Sequence, residues 1–211
     1  MPIEDYLEGD MLSKARLQDV FVGIISGESG AVLHGGTTIW RCFGGKRFSK
    51  DIDIYFSKPK TLQKIVNKLK LYADLRIDFE RERHGTHYYK LADSRTDISL
   101  QCKIRRVHKT GLSTYVNVDG SPVDVLTLLP EDLLMEKIAA YTDRRLERDL
   151  YDMKVLTASI YDKGKVKDAL LAFLEGIKPP ADRGALDALI YEGAHPTFEQ
   201  LLEYLRRWVS T

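Results

Sequence analysis

The 211-residue sequence has two cysteines, five histidines and almost no net charge. Cys42 and Cys102 cannot build a disulfide framework or a four-thiolate metal site, and they read as reduced core thiols of a cytoplasmic protein. No run of 18 apolar residues occurs, so no membrane-spanning helix is expected. The opening MPIEDYLEGDMLSK is acidic and lacks an apolar stretch, so no secretory signal is expected there. Lysine plus arginine number 32, aspartate plus glutamate 31, and the formal charge is +1. That balance excludes a polycation holding nucleic acid by bulk charge; any such binding must use a local basic face. Several catalytic fingerprints are missing as well: G-x-x-x-x-G-K-[ST], G-x-G-x-x-G, H-E-x-x-H and G-x-S-x-G. His84 and His87 lie three apart in a turn with no obvious third ligand, and read as surface residues.

The charge that is present is unevenly spread. Residues 1–130 carry 20 basic and 16 acidic side chains, a net +4, whereas residues 131–211 carry 12 and 15, a net −3. The texture changes at the same place. Residues 1–30 read as helical, in Ile3–Leu7 and Lys14–Val22. An apolar run, Ala31–His34, then leads into Gly35-Gly36 and a short helix over Thr37–Phe43. Ser49–Phe56 alternates and predicts a strand. Thr61–Tyr72 places Leu62, Ile65, Val66 and Leu69 on one face of a helix with Thr61 as its N-cap. Strand-like runs follow at 75–81, 86–91, 96–107, 114–118 and 123–128. From Pro130 onward the pattern is helical, with one long element from 131 to 160 and further helices over 166–174 and 198–208. The expectation is an α+β first domain over 1–129 and an all-helical second domain over 130–211.

Chemistry concentrates in two clusters. In the first, Gly35-Gly36-Thr37 precedes Arg47-Phe48-Ser49-Lys50-Asp51-Ile52-Asp53. On a strand, residues i and i+2 share a face, so Asp51 and Asp53 project together while Ile52, Ile54 and Phe56 enter a core. Two carboxylates so close repel unless a cation lies between them. A hard divalent ion such as Mg²⁺ satisfies both and binds phosphate oxygens as well. Glycines let the backbone approach a ligand, and a helix starting at Thr37 directs free N–H groups toward a phosphate. The combination points to phosphoryl transfer. Taken alone, D-x-D reads first as an ordinary surface-strand pair; the Gly-Gly and the intervening Arg and Ser turn the reading to chemistry. A third carboxylate would complete a metal site, and Asp97, which alternates against Ile98 and Leu100, is preferred to Asp78, which has the same local pattern.

The second cluster runs from Leu133 to Asp152. Leu133, Leu134, Ile138 and Tyr141 form an apolar helical stripe, and Lys137 lies beside it, placed to reach nucleotide phosphates. Arg144, Arg145 and Arg148 form a basic patch able to grip a polyanion or to lace a solvated helix surface. Asp149 and Asp152 share a helical face.

These residues resemble the AbiEii/AbiGii toxin family of the nucleotidyltransferase-fold superfamily. The likeness is carried by Gly35-Gly36-Thr37, by R-F-S-x-D-I-D over 47–53, by Lys137, and by R-D-L-Y-D over 148–152. It spans roughly residues 30–155. It implies a polymerase-beta-like module with a mixed sheet and helices, followed by a helical part. It also implies transfer of a nucleotide from an NTP to an acceptor hydroxyl, RNA and tRNA-like in known cases, by the toxin of a toxin–antitoxin or phage-defence system. By residue, Gly35 and Gly36 match the phosphate-binding motif, Asp51 and Asp53 the Mg²⁺ or Mn²⁺ ligands, and Lys137 the lysine on the nucleotide phosphates. Asp149 or Asp152 matches a late catalytic aspartate. Thr37, Arg47 and Ser49 complete the expected nucleotide site. Asp97 is the expected third carboxylate, as ligand or base, which the resemblance itself leaves open. Fourteen residues separate Gly36 from Asp51, slightly more than the broad superfamily pattern, and Gly44-Gly45 can absorb the excess.

The chain therefore reads as a cytoplasmic, metal-dependent nucleotidyltransferase whose partners are an NTP, an RNA and a cognate antitoxin. RNA contact is expected near 103–109 and 144–148, where basic residues cluster. Two other readings use the same aspartates. A glycosyltransferase holds a nucleotide-sugar through D-x-D, but needs a longer α/β domain. A non-catalytic binding module would not need Asp51, Asp53 and Lys137 intact.

Overall fold

The computed structural model describes residues 1–211, and the chain separates into two compact units. The first comprises Met1–Cys42 and Phe48–Leu128; the second comprises Phe43–Arg47 and Leu129–Thr211.

The first unit is a seven-stranded mixed sheet. Its strands are β1 (Ala31–His34), β2 (Ile52–Phe56), β3 (Arg76–Arg83), β4 (Thr86–Ala92), β5 (Asp97–Ile104), β6 (Gly111–Val116) and β7 (Pro122–Thr127). They lie in the order β3-β4-β5-β2-β1-β7-β6. The β2–β5 and β1–β7 pairs are parallel, and all the others are antiparallel. Alternation gives each central strand a buried row: Ile52, Ile54 and Phe56 on β2, and Ile98, Leu100 and Cys102 on β5. Onto these rows pack α1 (Gly9–Ile25), through Leu17, Phe21 and Val22, and α3 (Pro59–Leu69), through Leu62, Ile65, Val66 and Leu69. Their partners on the other sheet face include Asp53, Gln101 and Tyr88, which the strand registers align in one row.

Three features depart from the sequence expectation. The strand expected over 49–56 begins at Ile52. The preceding backbone is held by side chains instead: Thr37 Oγ1 donates to the Ser49 and Asp51 carbonyls, and Gln18 Nε2 donates to the Ser49 carbonyl at 2.8 Å. Thr61 is not an N-cap. Pro59 opens α3 at its first turn, where a missing N–H costs nothing, so Lys58 is the capping position. A short 3₁₀ turn, Ile3–Asp5, stands where a helix over 3–7 was expected.

The second unit holds α4 (Pro130–Arg144), α5 (Glu147–Leu156), α6 (Lys167–Glu175) and α7 (Phe198–Ser210). The long element expected from 131 to 160 is broken at Arg145, which takes a left-handed conformation with φ of 52°. The break is closed by hydrogen bonds from the same unit. The Arg145 carbonyl accepts from the Ala181 N–H at 2.7 Å, and the Glu147 N–H donates to Asp182 at 2.8 Å. The expected helix over 198–208 is α7, started by a reciprocal Thr197–Gln200 capping box. Leu134, Tyr141, Leu150, Met153, Leu170 and Leu205 form the buried interior. Phe43–Arg47 joins this unit through the Lys46 N–H, which donates to the Tyr151 hydroxyl at 3.0 Å, and through an Arg47–Ile190 bridge.

One polar knot lies inside the first unit. Arg41 is 2% exposed, pairs with Asp19, and sits 4.6 Å from the Trp40 ring centroid and 4.8 Å from that of Tyr115. Asp19 also accepts from the Tyr115 hydroxyl at 3.0 Å and the Val118 N–H at 2.8 Å. Burial pushes the Asp19 carboxyl above its ordinary range, against the pull of Arg41 and these donors. Removing one partner leaves a buried charge uncompensated. Asp19→Ala is expected to cost about 3–5 kcal/mol, read from denaturant unfolding; an unchanged midpoint would show that the pair is not held as described.

Candidate active site

The first unit brings a glycine turn against an aspartate. Register pairs His34 with Asp53, so the residue after His34 meets the Asp53 side chain. That residue, Gly35, has φ of +74° and opens α2 (Gly35–Cys42). A Cβ added to it would collide with the Asp53 carboxylate, 2.7 Å from Cγ and 2.8 Å from Cβ. Only glycine admits both this backbone conformation and this approach. The result is a carboxylate packed at the N-terminus of a helix, where N–H groups and the helix dipole favour anions. Gly36 and Thr37 follow in the first turn, both buried. The Thr37 hydroxyl is committed to the Ser49 and Asp51 carbonyls, which ties the helix start to the segment carrying the aspartates. Asp51, Asp53 and Ser49 are half-buried, and Asp51 lies one residue ahead of β2.

Asp97 is not joined to this pair. It lies at the start of β5 and ion-pairs with Lys90 of β4 at 3.3 Å. Asp78 is farther away, on β3 opposite Lys90, and pairs with Arg76 at 2.9 Å. No group of three or more histidine, cysteine, aspartate or glutamate residues could hold a metal ion. The β5 residue level with Asp53 is Gln101. The donor set is therefore two carboxylates. It suits Mg²⁺ or Mn²⁺, because such ions take one or two carboxylates and complete their shell with water and substrate phosphates. Neither cysteine adds a ligand. Burial pushes the Cys42 thiol up to about 12, and pushes Cys102 higher still, helped by the Asp53 charge.

Tyr55, beside the site, was not singled out from sequence. The His34 and Tyr55 rings stack at 3.8 Å and 9°. Arg105 lies 4.9 Å from the Tyr55 ring centroid and donates to its hydroxyl at 3.1 Å. The signal lies in strand register, which a single sequence does not display.

The second unit gathers Lys137, Asp149 and Asp152, with Arg47 and Arg144. Lys137 is 6% exposed, with its Nζ 2.6 Å from Asp152 and 3.2 Å from Asp149. It lies within the buried stripe rather than beside it. Arg47 donates to both oxygens of Asp152, at 2.7 and 2.5 Å. Arg144 donates to both oxygens of Asp149, each at 2.8 Å. Three cations thus share two carboxylates. Arg144, expected in a polyanion-binding patch, is engaged in this network. Burial alone would raise the Asp152 carboxyl, but Arg47 and Lys137 outweigh it and hold the group below its ordinary 3.8. Arg47 is raised: Asp152 overcomes the burial that would otherwise lower it.

A carboxylate lowered on folding stabilises the native state above its unfolded pKa and loses that contribution as pH falls through the folded value. Asp152→Asn is expected to cost about 3–5 kcal/mol near neutral pH. The gap to wild type should narrow below pH 3.8. Denaturation midpoints across an acid series would check this; a gap that stays constant with pH would contradict the pairing.

Comparison with known proteins gives a consistent result. A family model described as nucleotidyl transferase AbiEii toxin, type IV toxin–antitoxin system, matches residues 25–204. Among solved structures, MenT4, a nucleotidyltransferase toxin of Mycobacterium tuberculosis H37Rv, aligns with a TM-score of 0.69 at 17% identity, covering 95% of this chain and 83% of that one. JHP933 from Helicobacter pylori aligns at 0.65 and 18% identity, covering 97% and 92%. A second H. pylori protein, described as a putative nucleotidyltransferase, aligns at 0.62 and 17%, covering 97% and 95%. No curated protein sequence matches the chain. No helix is long and apolar enough to cross a membrane. The family match decides against the glycosyltransferase and non-catalytic readings: the chain belongs to the AbiEii nucleotidyltransferase toxin family of type IV toxin–antitoxin systems.

Proposed function

We propose that this nucleotidyltransferase moves a nucleotide from an NTP to a hydroxyl at a tRNA-like RNA end, in a reaction that requires Mg²⁺ or Mn²⁺. The observation that carries this is the packing of the Asp53 carboxylate on Gly35 at the start of α2, which supports reading Asp53 as a metal ligand beside a helix end that receives phosphate. Asp51 and Asp53 hold the ion, which offsets triphosphate charge when bound. The N–H groups of Gly35, Gly36 and Thr37 receive phosphate oxygens, and Ser49 adds a hydroxyl. The acceptor oxygen attacks the α-phosphorus, the bond to the β-phosphate oxygen breaks, and pyrophosphate leaves. The hydroxyl proton passes to a site carboxylate or to water.

Lys137 supplies a cation for nucleotide phosphates. Asp149 and Asp152 fix its Nζ, and Arg47 fixes Asp152, so on this reading the late aspartates position the lysine. Asp97, paired with Lys90, is left without a catalytic task. A cognate antitoxin is the protein partner that the family's type IV system implies.

Incubation with labelled NTPs and total RNA tests the reading. Wild type should label RNA, chelation should abolish labelling, and Asp51→Ala or Asp53→Ala should reduce it at least ~100-fold. Equal labelling by these variants would overturn it. Gly35→Ala should match Asp53→Ala in activity while keeping the wild-type circular dichroism spectrum. Full activity in Gly35→Ala would show that the packing of Asp53 on Gly35 is dispensable.

A further inference from the structure

Building on the RNA-acceptor reading above, we propose that the sheet face running outward from Asp53 across β5, β4 and β3 seats a single-stranded RNA end. The strand registers align Asp53, Gln101, Tyr88 and Arg81 in one row. The next row holds Tyr55, Lys103, Thr86 and Arg83. Three inter-strand steps span about 14 Å, the length of about four stacked nucleotides at 3.4 Å each.

The basic character of this face depends on a bulge. Strict alternation from Arg76 would put Asp78, Glu80 and Glu82 on the Asp53 side, and Arg81 and Arg83 on the helix-packed side. The β3–β4 register shifts between Phe79 and Arg81. Glu80 is the extra residue, and every side chain after it changes face. Arg81 consequently pairs with Tyr88, its guanidinium 5.0 Å from the ring centroid, and Arg83 pairs with Thr86. Glu82 turns to the other face, where it lies 3.9 Å from His87. Of the register-paired strand carboxylates on the Asp53 side beyond β2, Asp78 is paired with Arg76 and Asp97 with Lys90. Arg81, Arg83 and Lys103 remain as exposed cations around the half-buried Tyr88.

Cations flanking an aromatic ring on an open sheet suit a single strand. Bases stack on the ring, and phosphates take the charge without sequence readout. A base on Tyr88 takes the place of the Arg81 guanidinium and releases it to a phosphate. The row then leads the terminal hydroxyl toward Asp53.

Binding of a short, 5′-labelled single-stranded RNA, followed by anisotropy across a salt series, tests the assignment separately from transfer. Arg81→Gln/Arg83→Gln should weaken binding about tenfold or more and lower the slope of log affinity on log salt by about 1.4. Tyr88→Ala should weaken binding about tenfold with the slope unchanged, and Tyr88→Phe should restore it. Lys60→Gln/Lys64→Gln on α3, which packs on the opposite face, should change nothing. Calorimetric Mg-NTP binding should be unchanged in all four variants, which also reports on their folding. Wild-type affinity and slope in both the arginine and tyrosine variants would overturn the proposal, as would an equal loss in the α3 control. If the RNA arm behaves as described but wild type labels no RNA, the acceptor reading fails while the binding face stands.

Discussion

The Asp53 carboxylate fills the volume that a β-carbon on residue 35 would need, and the first unit is arranged around that constraint. The antiparallel β1–β2 register sets His34 against Asp53, so the chain leaving β1 must turn over a carboxylate. It does so with a positive φ and no side chain, and it begins a helix in the same step. A larger residue would push the carboxylate away or bend the helix start. The start of α2 and the carboxylate are thus one piece of geometry. Thr37 reinforces it by spending its hydroxyl on the Ser49 and Asp51 carbonyls, which fixes backbone that has no ladder partner.

The second unit solves a different electrostatic problem. Two carboxylates buried in a helical interior would be costly alone. Here each accepts a two-pronged arginine, and both share Lys137. The network carries one more positive than negative charge. An incoming anion could balance that excess without rearranging the arginines, whose paired bonds are geometrically fixed. Lysine has the opposite property, a point charge on a flexible stem, and so it is the member of the network able to turn toward a phosphate.

Much of the fold was legible because burial follows period. The run from Asp51 to Phe56 showed its buried row, and Leu62, Ile65, Val66 and Leu69 showed the buried stripe of α3. The errors came where a local bond overrode the pattern. Pro59 took the helix start from Thr61, and Arg145 broke a helix whose composition continues smoothly, because Ala181 and Asp182 satisfy the freed groups from far along the chain. Asp51, Asp53 and Lys137 could be picked out because short patterns carried them. The partners of Asp97 and Asp152 could not, since Lys90 and Arg47 reach them through strand pairing and through a segment more than 100 positions away. No composition signal marks Phe43–Arg47 as part of the helical unit.

The near-zero net charge of the whole sequence conceals a spatial separation that strand register creates. Residues 76–83, RIDFERER, contain three basic, three acidic and two apolar positions in an order that looks neutral. One bulge changes which of them share a face. Without Glu80 as an extra residue, the arginines would lie with Phe79, and the acidic side chains would stand on the face of Asp53 and add negative charge there. With it, cations line the approach to Asp53 and the glutamate at 82 is sent to the far side. Bulk charge reports neither outcome, because the same eight residues are compatible with both. The sign of the field along a sheet is decided by pairing geometry, and in this chain a single inserted residue decides it.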